Sequence, residues 1–560
     1  MLKEEIKRKV MAYALKNSLE YGKADANVVL AKIAQFFKEN IKELKIEVEK
    51  ACEEVNRLSL EERKKLFEEL SSEIQIKERK KEEKLLEAKN AVTRFLPEPN
   101  GYLHIGHAKA LLLSYYVAKQ NNGHFFLRFD DTNPETEKEE YVEAIKKDLE
   151  WLGVEYEKEF YSSDFIPILY DMAKKLIEEG KAYACTCSKE EIKENRKKME
   201  ECKCRSRSIE ENIEIFEKMK KGELDENSAI IRLKANMKSE NTVMRDPTIL
   251  RIKKHFHFRQ GNKYFVYPTY DFAVSIIDSL TGITHAIRSK EYELRDELYY
   301  YILDLLKLRK PKVIDISRLE IKNSLTSKRK IKELIKEKKI LGFDDPRLLT
   351  LISLRKRGIQ PKAIEEFVLS FGISKSESKA EIDKLLAINR KLIDAKAKRK
   401  FFVQEPFIRL KVNGLKEGKI LVKNHPSVDL GKREIEYTDS FFIQKSDLVG
   451  LKKGDILKLK YLFCVKIEEI TEEEAIAKVY EKKENEFAKV VQWVSKGVKA
   501  RVLVPGDVLK EDGSFNENSL KEVKGIAEKS IEELKENEIV QFERFGFCNY
   551  IGNKTFVFSC

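Results

Sequence analysis

The sequence predicts a multidomain chain with four successive parts: a helical N-terminal domain, a Rossmann-like α/β domain, a helical connector and C-terminal all-β barrels. Three observations lead to this fold class. The 560 residues are too many for one hydrophobic core. In the middle of the chain, extended and helical runs alternate, which is typical of a parallel sheet with helical crossovers. The last 160 residues are short alternating runs between turn residues, which is typical of barrels or sandwiches.

Each part has its own sequence pattern. Residues 1–90 are rich in Lys and Glu, contain almost no Gly or Pro, and place apolar residues at helical spacing. Residues 91–335 carry the strand–helix alternation, interrupted at 181–245 by an insert rich in Cys and Lys. Residues 336–400 return to helical spacing, and residues 401–560 to period-two alternation. These ranges are the predicted domains.

Composition restricts the class of protein. The net charge of +13 fits a polyanionic partner, although such an excess also serves solubility. No run of about eighteen apolar residues occurs, so we expect no membrane-spanning helix. The N-terminus mixes both charges, unlike a secretory signal, and eight cysteines are too few for a disulfide framework. We therefore expect a cytoplasmic protein.

The segment from Arg94 to His107, RFLPEPNGYLHIGH, predicts a phosphate-binding loop. Pro97 and Pro99 exclude helix before them, and helical spacing begins near Gly106. A helix start offers free N–H groups and the positive end of the helix dipole, and glycine allows a ligand close to the backbone. The Walker pattern is absent. The chain therefore predicts a nucleotide site of another kind.

Further motifs follow this segment in a fixed order: LRFDDTNPE at 127–135, YPTYDFA at 267–273, GITHAIRSKEY at 282–292, SRLEI at 317–321 and SLTSKRK at 324–330. Together they resemble the signatures of class I aminoacyl-tRNA synthetases, in the glutamyl/glutaminyl branch. The resemblance covers nearly the whole chain from Ala91 onward and leaves out the N-terminal helices. The β-rich ending resembles the archaeal and eukaryotic type of glutamyl enzyme, and the glutaminyl enzymes, rather than the bacterial glutamyl type.

The resemblance implies ATP-dependent ligation of L-glutamate to tRNA(Glu) through glutamyl-adenylate, with ATP and Mg²⁺ as substrate. The transition state gathers negative charge on phosphoryl oxygens, so the site needs cations and N–H donors there. His104, His107 and the signature lysine Lys328 match the catalytic residues of the family. The residues that match its ATP site are Glu98, Pro99, Asn100, His104, Gly106, His107, Ser289, Arg318, Leu319, Ser327 and Lys328.

Four residues match the amino-acid site of the branch. Asp130 corresponds to the carboxylate that meets the substrate α-ammonium, and Tyr270 to the hydroxyl that meets the substrate side chain. Arg94 and Arg288 are the cations facing that side chain. A guanidinium in a closed pocket needs an anion, which glutamate supplies and glutamine does not, so Arg288 favours glutamate.

The alternative for Arg288 is an internal ion pair. Glu291 and Glu293 follow it closely and could supply the carboxylate. In that case the arginine would be structural, and the choice of amino acid would lie elsewhere.

The insert contains two Cys-x-Cys pairs, and four thiolates can complete a tetrahedral zinc site. The commoner spacing is Cys-x-x-Cys, so spare thiols are the alternative. The family uses this insert at the tRNA acceptor end, so a metal there would be structural. The predicted ligands are Cys185, Cys187, Cys202 and Cys204.

The β-rich region is expected to bind the anticodon, because barrels present stacking surfaces and hydrogen-bonding edges to unpaired bases. By resemblance, Arg399 and Arg433 are base contacts, with surface phosphate contacts as the alternative. We expect a monomer whose partners are L-glutamate, tRNA(Glu) and, as an open question, tRNA(Gln). Competing functions are a glutaminyl-tRNA synthetase, a non-catalytic tRNA-binding paralogue, and a tRNA-modifying relative, which would lack the anticodon-binding part.

Overall fold

The computed structural model describes residues 4–34, 41–70 and 84–560. The chain divides into two compact units, Met1–Lys84 and Leu85–Cys560. Within the described ranges, no helix combines the length and the apolar character needed to cross a membrane.

The described part of the first unit is helical, as predicted. Apolar residues at helical spacing, among them Val10, Leu15 and Val48, form its buried core. Asp25 begins the second helix by accepting hydrogen bonds from two backbone N–H groups of its first turn. The helices are α1 (Glu4–Tyr21), α2 (Ala26–Ile33), α3 (Ile41–Arg57) and α4 (Leu60–Leu70).

The second unit begins with the predicted alternation of strands and helices. Its first elements are β1 (Val92–Phe95), α5 (Ile105–Gln120), β2 (His124–Phe129), α6 (Glu139–Trp151), β3 (Lys158–Tyr161), α7 (Ile166–Glu178), β4 (Ala182–Cys185), α8 (Lys189–Lys198), α9 (Ile209–Lys220), β5 (Ile230–Leu233), β6 (Thr248–Ile252), β7 (Val266–Pro268), α10 (Tyr270–Leu280), β8 (His285–Ser289), α11 (Asp296–Leu306), β9 (Lys312–Ile316), β10 (Leu319–Ile321) and α12 (Lys328–Lys336).

The parallel strands define the position of the site. β2 pairs with both β1 and β3, and β8 pairs with β9, all in parallel. The N–H of Thr284 donates to the carbonyl of Val92 (2.9 Å), which places β8 beside β1. The resulting order, β3-β2-β1-β8-β9, has its topological switch point between β1 and β8. In such sheets, ligands bind outside the carboxyl ends of the strands at that point.

An antiparallel sheet in the order β4-β5-β6-β7 begins with β4 and β5 of the insert and continues with β6 and β7, which follow residue 245. Its buried side chains, such as Ile231 and Leu250, share one core with Phe272 of α10 and Leu298 of α11. The insert is therefore packed firmly against the α/β layer.

The connector contains α13 (Leu351–Lys356), α14 (Pro361–Leu369), β11 (Ser378–Ala380) and α15 (Ile382–Ile393). Its apolar side chains, including Leu354 and Phe367, belong to the same core as Phe95 and Leu111 of the α/β layer. β11 pairs in parallel with β10, a pairing that the sequence did not predict. A strand of three residues is too short to show an alternating pattern.

Residues 398–560 form two β barrels, where the sequence predicted all-β barrels over residues 401–560. A six-stranded sheet is closed by the antiparallel bridge between Phe442 and Val494. The seven-stranded sheet begins with β12 and ends with β13. These two strands follow one another in the chain with only Phe401 between them, and this connection closes the second barrel. Phe401 and Trp493 pack in the hydrophobic core of the six-stranded barrel. The strands are β12 (Lys398–Lys400), β13 (Phe402–Gln404), β14 (Phe407–Asn413), β15 (Gly418–Lys423), β16 (Lys432–Tyr437), β17 (Ser440–Gln444), β18 (Ile456–Leu459), β19 (Cys464–Ile470), β20 (Glu474–Tyr480), β21 (Lys489–Val491), β22 (Gly497–Pro505), β23 (Leu520–Glu528), β24 (Ile539–Phe542), β25 (Gly546–Tyr550) and β26 (Thr555–Phe558).

Candidate active site

The two histidines of the opening loop cap helix α5 together. Nδ1 of His104 accepts a hydrogen bond from the N–H of Gly106 (3.1 Å), and Nδ1 of His107 accepts one from the N–H of His104 (3.1 Å). Their rings stack with centroids 3.8 Å apart. A Cβ at position 106 would lie 2.9 Å from the His104 ring, so glycine is required there for the stack.

This arrangement sets the protonation of both rings. Burial, with Lys328 and Arg318 nearby, lowers the pKa of His104 to about 4. Burial, with His104 and Lys328 nearby, places the pKa of His107 well below its ordinary value. Both rings are therefore neutral near pH 7. Since each Nδ1 accepts a backbone hydrogen bond, the proton lies on Nε2, which makes both rings hydrogen-bond donors.

Lys328 is the first residue of α12 and reaches back to the opening loop. Its ammonium donates a hydrogen bond to Oδ1 of Asn100. A Cβ at Gly101 would lie 2.9 Å from Cδ of Lys328, so this glycine leaves room for the lysine stem. Burial lowers the pKa of Lys328. Ser327 caps the helix by accepting from the N–H of Lys330 (3.5 Å).

The other predicted nucleotide-site residues surround this loop. The carbonyl of Pro99 accepts from the N–H of Lys138 (3.0 Å), which ties the loop to the start of α6. Arg318 pairs with Glu291 (3.1 Å), and the side chains of both are more than half exposed. Leu319 is buried, and its carbonyl faces Gly106.

A cavity of about 530 Å³ opens at the switch point of the sheet. It is lined by residues from β1, α5, β8 and α12 and from the loops after β1 and β2. The predicted site residues that the structure brings together there are Arg94, Glu98, His107, Asp130, Tyr270, Arg288, Ser289 and Lys328. The lining does not include Pro99, Asn100, His104, Gly106, Arg318, Leu319 or Ser327.

Asp130 lies in a group of buried acids. Burial, opposed by nearby Arg128, raises the pKa of Asp130 to about 6, and the hydroxyl of Thr132 donates to its carboxylate (3.1 Å). Burial, with Asp130 and Asp131 nearby, raises the pKa of Glu137 to about 10. Glu137 therefore holds a proton near pH 7, and the negative charge beside it is carried by Asp130 and, in part, by Asp131, whose pKa burial raises to about 7. Sequence reasoning missed Glu137, because it stands in an acidic stretch where nothing distinguishes it.

Arg94 is fixed by a buried carboxylate in α10. Its Nε and Nη2 donate to the two oxygens of Asp278 (3.0 and 3.1 Å), and its Nη1 donates to the carbonyl of Ile287 (2.9 Å). Arg128 also lies 2.8 Å from Asp278, so one carboxylate serves two guanidinium groups. This group retains one positive charge beside the cavity. Asp278 was missed, although an acid in the last turns of a largely apolar helix was a usable signal.

Arg288 is also paired, but with residues other than those named as alternatives. Nη2 of Arg288 contacts a carboxylate oxygen of Asp296, and Nε lies 3.8 Å from Asp315. Glu291 and Glu293 pair elsewhere, with Arg318 and Lys375 respectively. Among the described residues, Nε and Nη1 of Arg288 have no hydrogen-bond acceptor, although both are buried. Arg288, which lines the cavity, thus keeps two buried nitrogens whose hydrogen-bonding capacity is unused among the described residues.

The four cysteines of the insert converge. All four sulfur atoms lie within 4.8 Å of one another and are buried. Cys185 and Cys202 are 3.8 Å apart, as are Cys187 and Cys204. The edge of a tetrahedron with Zn–S bonds of about 2.3 Å is about 3.8 Å. The four thiols therefore fit a zinc ion, and these separations are much longer than a disulfide bond of about 2.05 Å.

A cationic groove of about 760 Å³ borders the cavity and shares Arg251 and Thr269 with it. Among the residues that the structure describes, no acid lines this groove, so it attracts anions. Its cations come from α8, which starts directly after the first cysteine pair, and from the segments around β6. They are Lys189, Lys193, Arg196, Lys197, Arg245, Arg251 and Lys253.

The two arginines predicted at the anticodon are buried. Nη2 of Arg399 pairs with Asp394 (2.7 Å) and lies 3.0 Å from Nε2 of His425. Nε of Arg433 pairs with Glu528 (2.9 Å). A cleft of about 650 Å³ near the barrels is lined by Arg433 but not by Arg399. Its other cationic lining residues are Lys398, Lys400, Lys432, Lys496 and Lys529.

The second barrel also contacts the segment that carries the signature lysine. The carbonyl of Asn323 accepts from the N–H of Leu509 (3.1 Å), and its side-chain amide donates to Asp507 (2.9 Å). Val508 packs with Leu325 in a small buried cluster. The position of residues 322–330 therefore depends on the barrel.

The fold and these sites define the class of protein. The family model described as tRNA synthetases class I (E and Q), catalytic domain, matches residues 90–395. Two models described as tRNA synthetases class I (E and Q), anti-codon binding domain, match residues 397–482 and 490–550. The chain belongs to the class I aminoacyl-tRNA synthetases of the E and Q group, as the motifs predicted.

The chain is also similar over nearly its whole length to individual glutamate--tRNA ligases. A glutamate--tRNA ligase of Nitrosopumilus maritimus is 42% identical over 577 aligned positions, which cover 99% of each chain. Glutamate--tRNA ligases of Korarchaeum cryptofilum and Pyrococcus furiosus are 39% and 38% identical, over 97% of each chain. Unlike the motif resemblance, these alignments include nearly all of the N-terminal helical unit.

Proposed function

We propose that this protein ligates L-glutamate to tRNA(Glu) with ATP, through a glutamyl-adenylate. The observation that carries the proposal is the surplus of guanidinium donors at the cavity. Arg94 and Arg128 share one carboxylate, and Arg288 retains two buried nitrogens without acceptors. A γ-carboxylate supplies the missing acceptor, whereas the γ-amide of glutamine would leave guanidinium charge uncompensated.

The other polar groups of glutamate fit the same cavity. The ionised carboxylate of Asp130 would pair with the α-ammonium through a charge-assisted hydrogen bond. Glu137, which is protonated near pH 7, does not compete with Asp130 for the ammonium. The hydroxyl of Tyr270 stays protonated, because burial raises its pKa, and it can donate to the γ-carboxylate. The α-carboxylate would then face the nucleotide loop.

The activation step is attack of the α-carboxylate on the α-phosphate of ATP, which reacts as its Mg²⁺ complex, with pyrophosphate leaving. Negative charge grows on the phosphoryl oxygens as the transition state forms. Neutral His104 and His107 would supply N–H donors without adding charge. Lys328 would supply the mobile positive charge near the pyrophosphate. Donors positioned before the reaction need little reorganisation during it.

The tRNA would extend from the cavity to the barrels. We assign catalysis to residues 91–335, the acceptor end to the insert at 181–245, connection to residues 336–400 and the anticodon to residues 401–560. The cationic groove supports the second assignment, because its lining in the described part of the chain has seven cations and no acid. Arg399 and Arg433 would then shape the anticodon site rather than read bases from a free surface, since both are ion-paired.

We also propose that the four cysteines of the insert hold one structural Zn²⁺. When bound, zinc would cross-link the chain around β4 with the loop at 202–204 and fix the start of α8. That helix carries four of the groove cations. A reducing cytoplasm would keep the thiols available.

The test is aminoacylation by the purified chain, with glutamate and glutamine each offered on tRNA(Glu) and tRNA(Gln). Glutamyl-tRNA(Glu) is the expected product. Charging of tRNA(Gln) with glutamate would show that the enzyme does not discriminate between the two tRNAs. Exclusive use of glutamine, or no product with any pair, would contradict the proposal.

A further inference from the structure

Arg232, in strand β5, is a charged side chain beside the four thiols. It is 1% exposed. Its Nη1 lies 3.8 Å from Sγ of Cys185 and 3.8 Å from Sγ of Cys202. Its Nε donates to the backbone carbonyl of Asp246 (2.8 Å), and its guanidinium lies over the ring of Tyr183. The side chain is therefore held in place from two sides, with its charge directed at the sulfur atoms.

The charge of Arg232 has no carboxylate partner among the described residues. The nearest candidate, Asp246, is already engaged. Its Oδ2 accepts from Nε of Arg205 (2.9 Å) and from the hydroxyl of Tyr183 (3.0 Å), and its Oδ1 accepts from the N–H of Ala235 (2.8 Å). Nη2 of Arg232 is buried without any hydrogen-bond partner. The groups left to balance this guanidinium are the sulfur atoms.

The metal-loaded form of the cluster supplies the required anion. Two disulfides or four neutral thiols carry no charge, and Arg232 would then be a buried, unbalanced cation, which is strongly unfavourable. Four thiolates around one Zn²⁺ carry a net charge of −2, which is itself unfavourable in the interior. A single guanidinium in contact with two of the sulfurs halves that charge.

We propose that Arg232 is the positioning and charge-compensating residue of the metal centre, and that it sets the affinity of the insert for Zn²⁺. The proposal rests on the zinc site proposed above. Groups that contact metal ligands from outside typically change metal affinity by about 10- to 100-fold when they are removed. The charge should account for most of this effect, because Nη1 meets sulfur at hydrogen-bonding distance without touching the metal position.

The experiment measures Zn²⁺ affinity of the full chain by competition with a chromogenic chelator. Arg232→Met removes the charge at similar volume and should weaken Zn²⁺ binding by about 10- to 100-fold. Arg232→Lys keeps the charge and should recover most of the affinity. Arg245→Met is the matched control. Arg245 is a buried arginine of the same insert that donates to the carbonyls of Ser239 and Arg196 and contacts no sulfur. Its substitution should leave Zn²⁺ affinity within about twofold of the wild-type value.

A spectroscopic measurement separates loss of charge from loss of ligands. With saturating Co²⁺ in place of Zn²⁺, Arg232→Met should keep the thiolate-to-cobalt absorption of a four-thiolate site. If Arg232→Met does not fold, as judged by circular dichroism, Arg232→Gln takes its place, and the comparison with Arg232→Lys isolates the charge.

Three results would overturn the inference. Wild-type Zn²⁺ affinity in the folded neutral variant of Arg232 would show that the charge is irrelevant. An equal loss of Zn²⁺ affinity in Arg245→Met would show that replacing any buried arginine of the insert has this effect. A wild-type chain without metal would refute the zinc site itself, before any substitution is made. Aminoacylation by the wild-type chain tests the proposed ligase activity independently of all three.

Discussion

Replacing Arg288 with methionine should change which amino acid the protein prefers. The substitution keeps most of the side-chain volume and removes the guanidinium, of which Nε and Nη1 are buried without acceptors. If these nitrogens bind the γ-carboxylate, the substitution removes their hydrogen bonds to bound glutamate. Glutamine should lose much less, because its amide oxygen accepts hydrogen bonds but carries no charge to pair with the guanidinium.

The magnitude follows from the number of free donors. A hydrogen bond to a charged group contributes about 1.5–3 kcal/mol, and 1.4 kcal/mol corresponds to about tenfold in a rate or equilibrium constant. Loss of one to two such bonds predicts a fall of about 10- to 10⁴-fold in kcat/KM for glutamate. Arg94 keeps its place through Asp278, so residual glutamate activity is expected. The assay is the ratio of kcat/KM for glutamate to that for glutamine, in wild type and variant.

Asp296→Asn is the matched control, because it removes the internal partner of Arg288 instead of Arg288 itself. A substrate-facing Arg288 predicts that this variant retains or increases the preference for glutamate. A structural ion pair predicts that both substitutions lower stability and affect both amino acids alike. An amino-acid ratio unchanged by Arg288→Met would refute the reasoning, and the source of specificity would then lie elsewhere in the cavity.

Three further predictions concern the nucleotide site, the acid group and the metal. Lys328→Ala should lower glutamate-dependent pyrophosphate exchange by about 10²–10³-fold, the usual effect of removing one transition-state donor, and unchanged exchange would exclude this lysine from the reaction. Since the pKa of Asp130 is raised to about 6, its carboxylate gains a proton as pH falls below that value, so kcat/KM for glutamate should drop about tenfold per pH unit there. His104, with a pKa of about 4, stays neutral in this window, and a flat profile down to pH 5 would contradict the assignment. Elemental analysis of protein purified without chelator should find one zinc per chain, and Cys202→Ser should lose it; a metal-free wild-type chain would count against the site.

The sequence by itself determined the order and type of the main elements and the strand–loop–helix form of the segment from Arg94 to His107. Pro97 and Pro99 interrupt the chain locally, and the helix that follows shows its period over a few turns, so both are readable without tertiary information. The same holds for the β-rich ending, where alternation and turn residues repeat over short distances. Gly106 beside His104 could likewise be anticipated, because a helix start imposes its own geometry.

The tertiary structure alone decided how the buried charges are balanced. Arg94 meets Asp278 across 184 positions of the chain, and the pair shares its carboxylate with Arg128. Arg288 found Asp296 rather than the nearer Glu291, and Arg232 faces sulfur rather than a carboxylate. The physical reason is that a buried charge requires a partner at hydrogen-bonding distance, and folding sets that distance. Sequence patterns report spacing along the chain, whereas charge balance depends on separation in space.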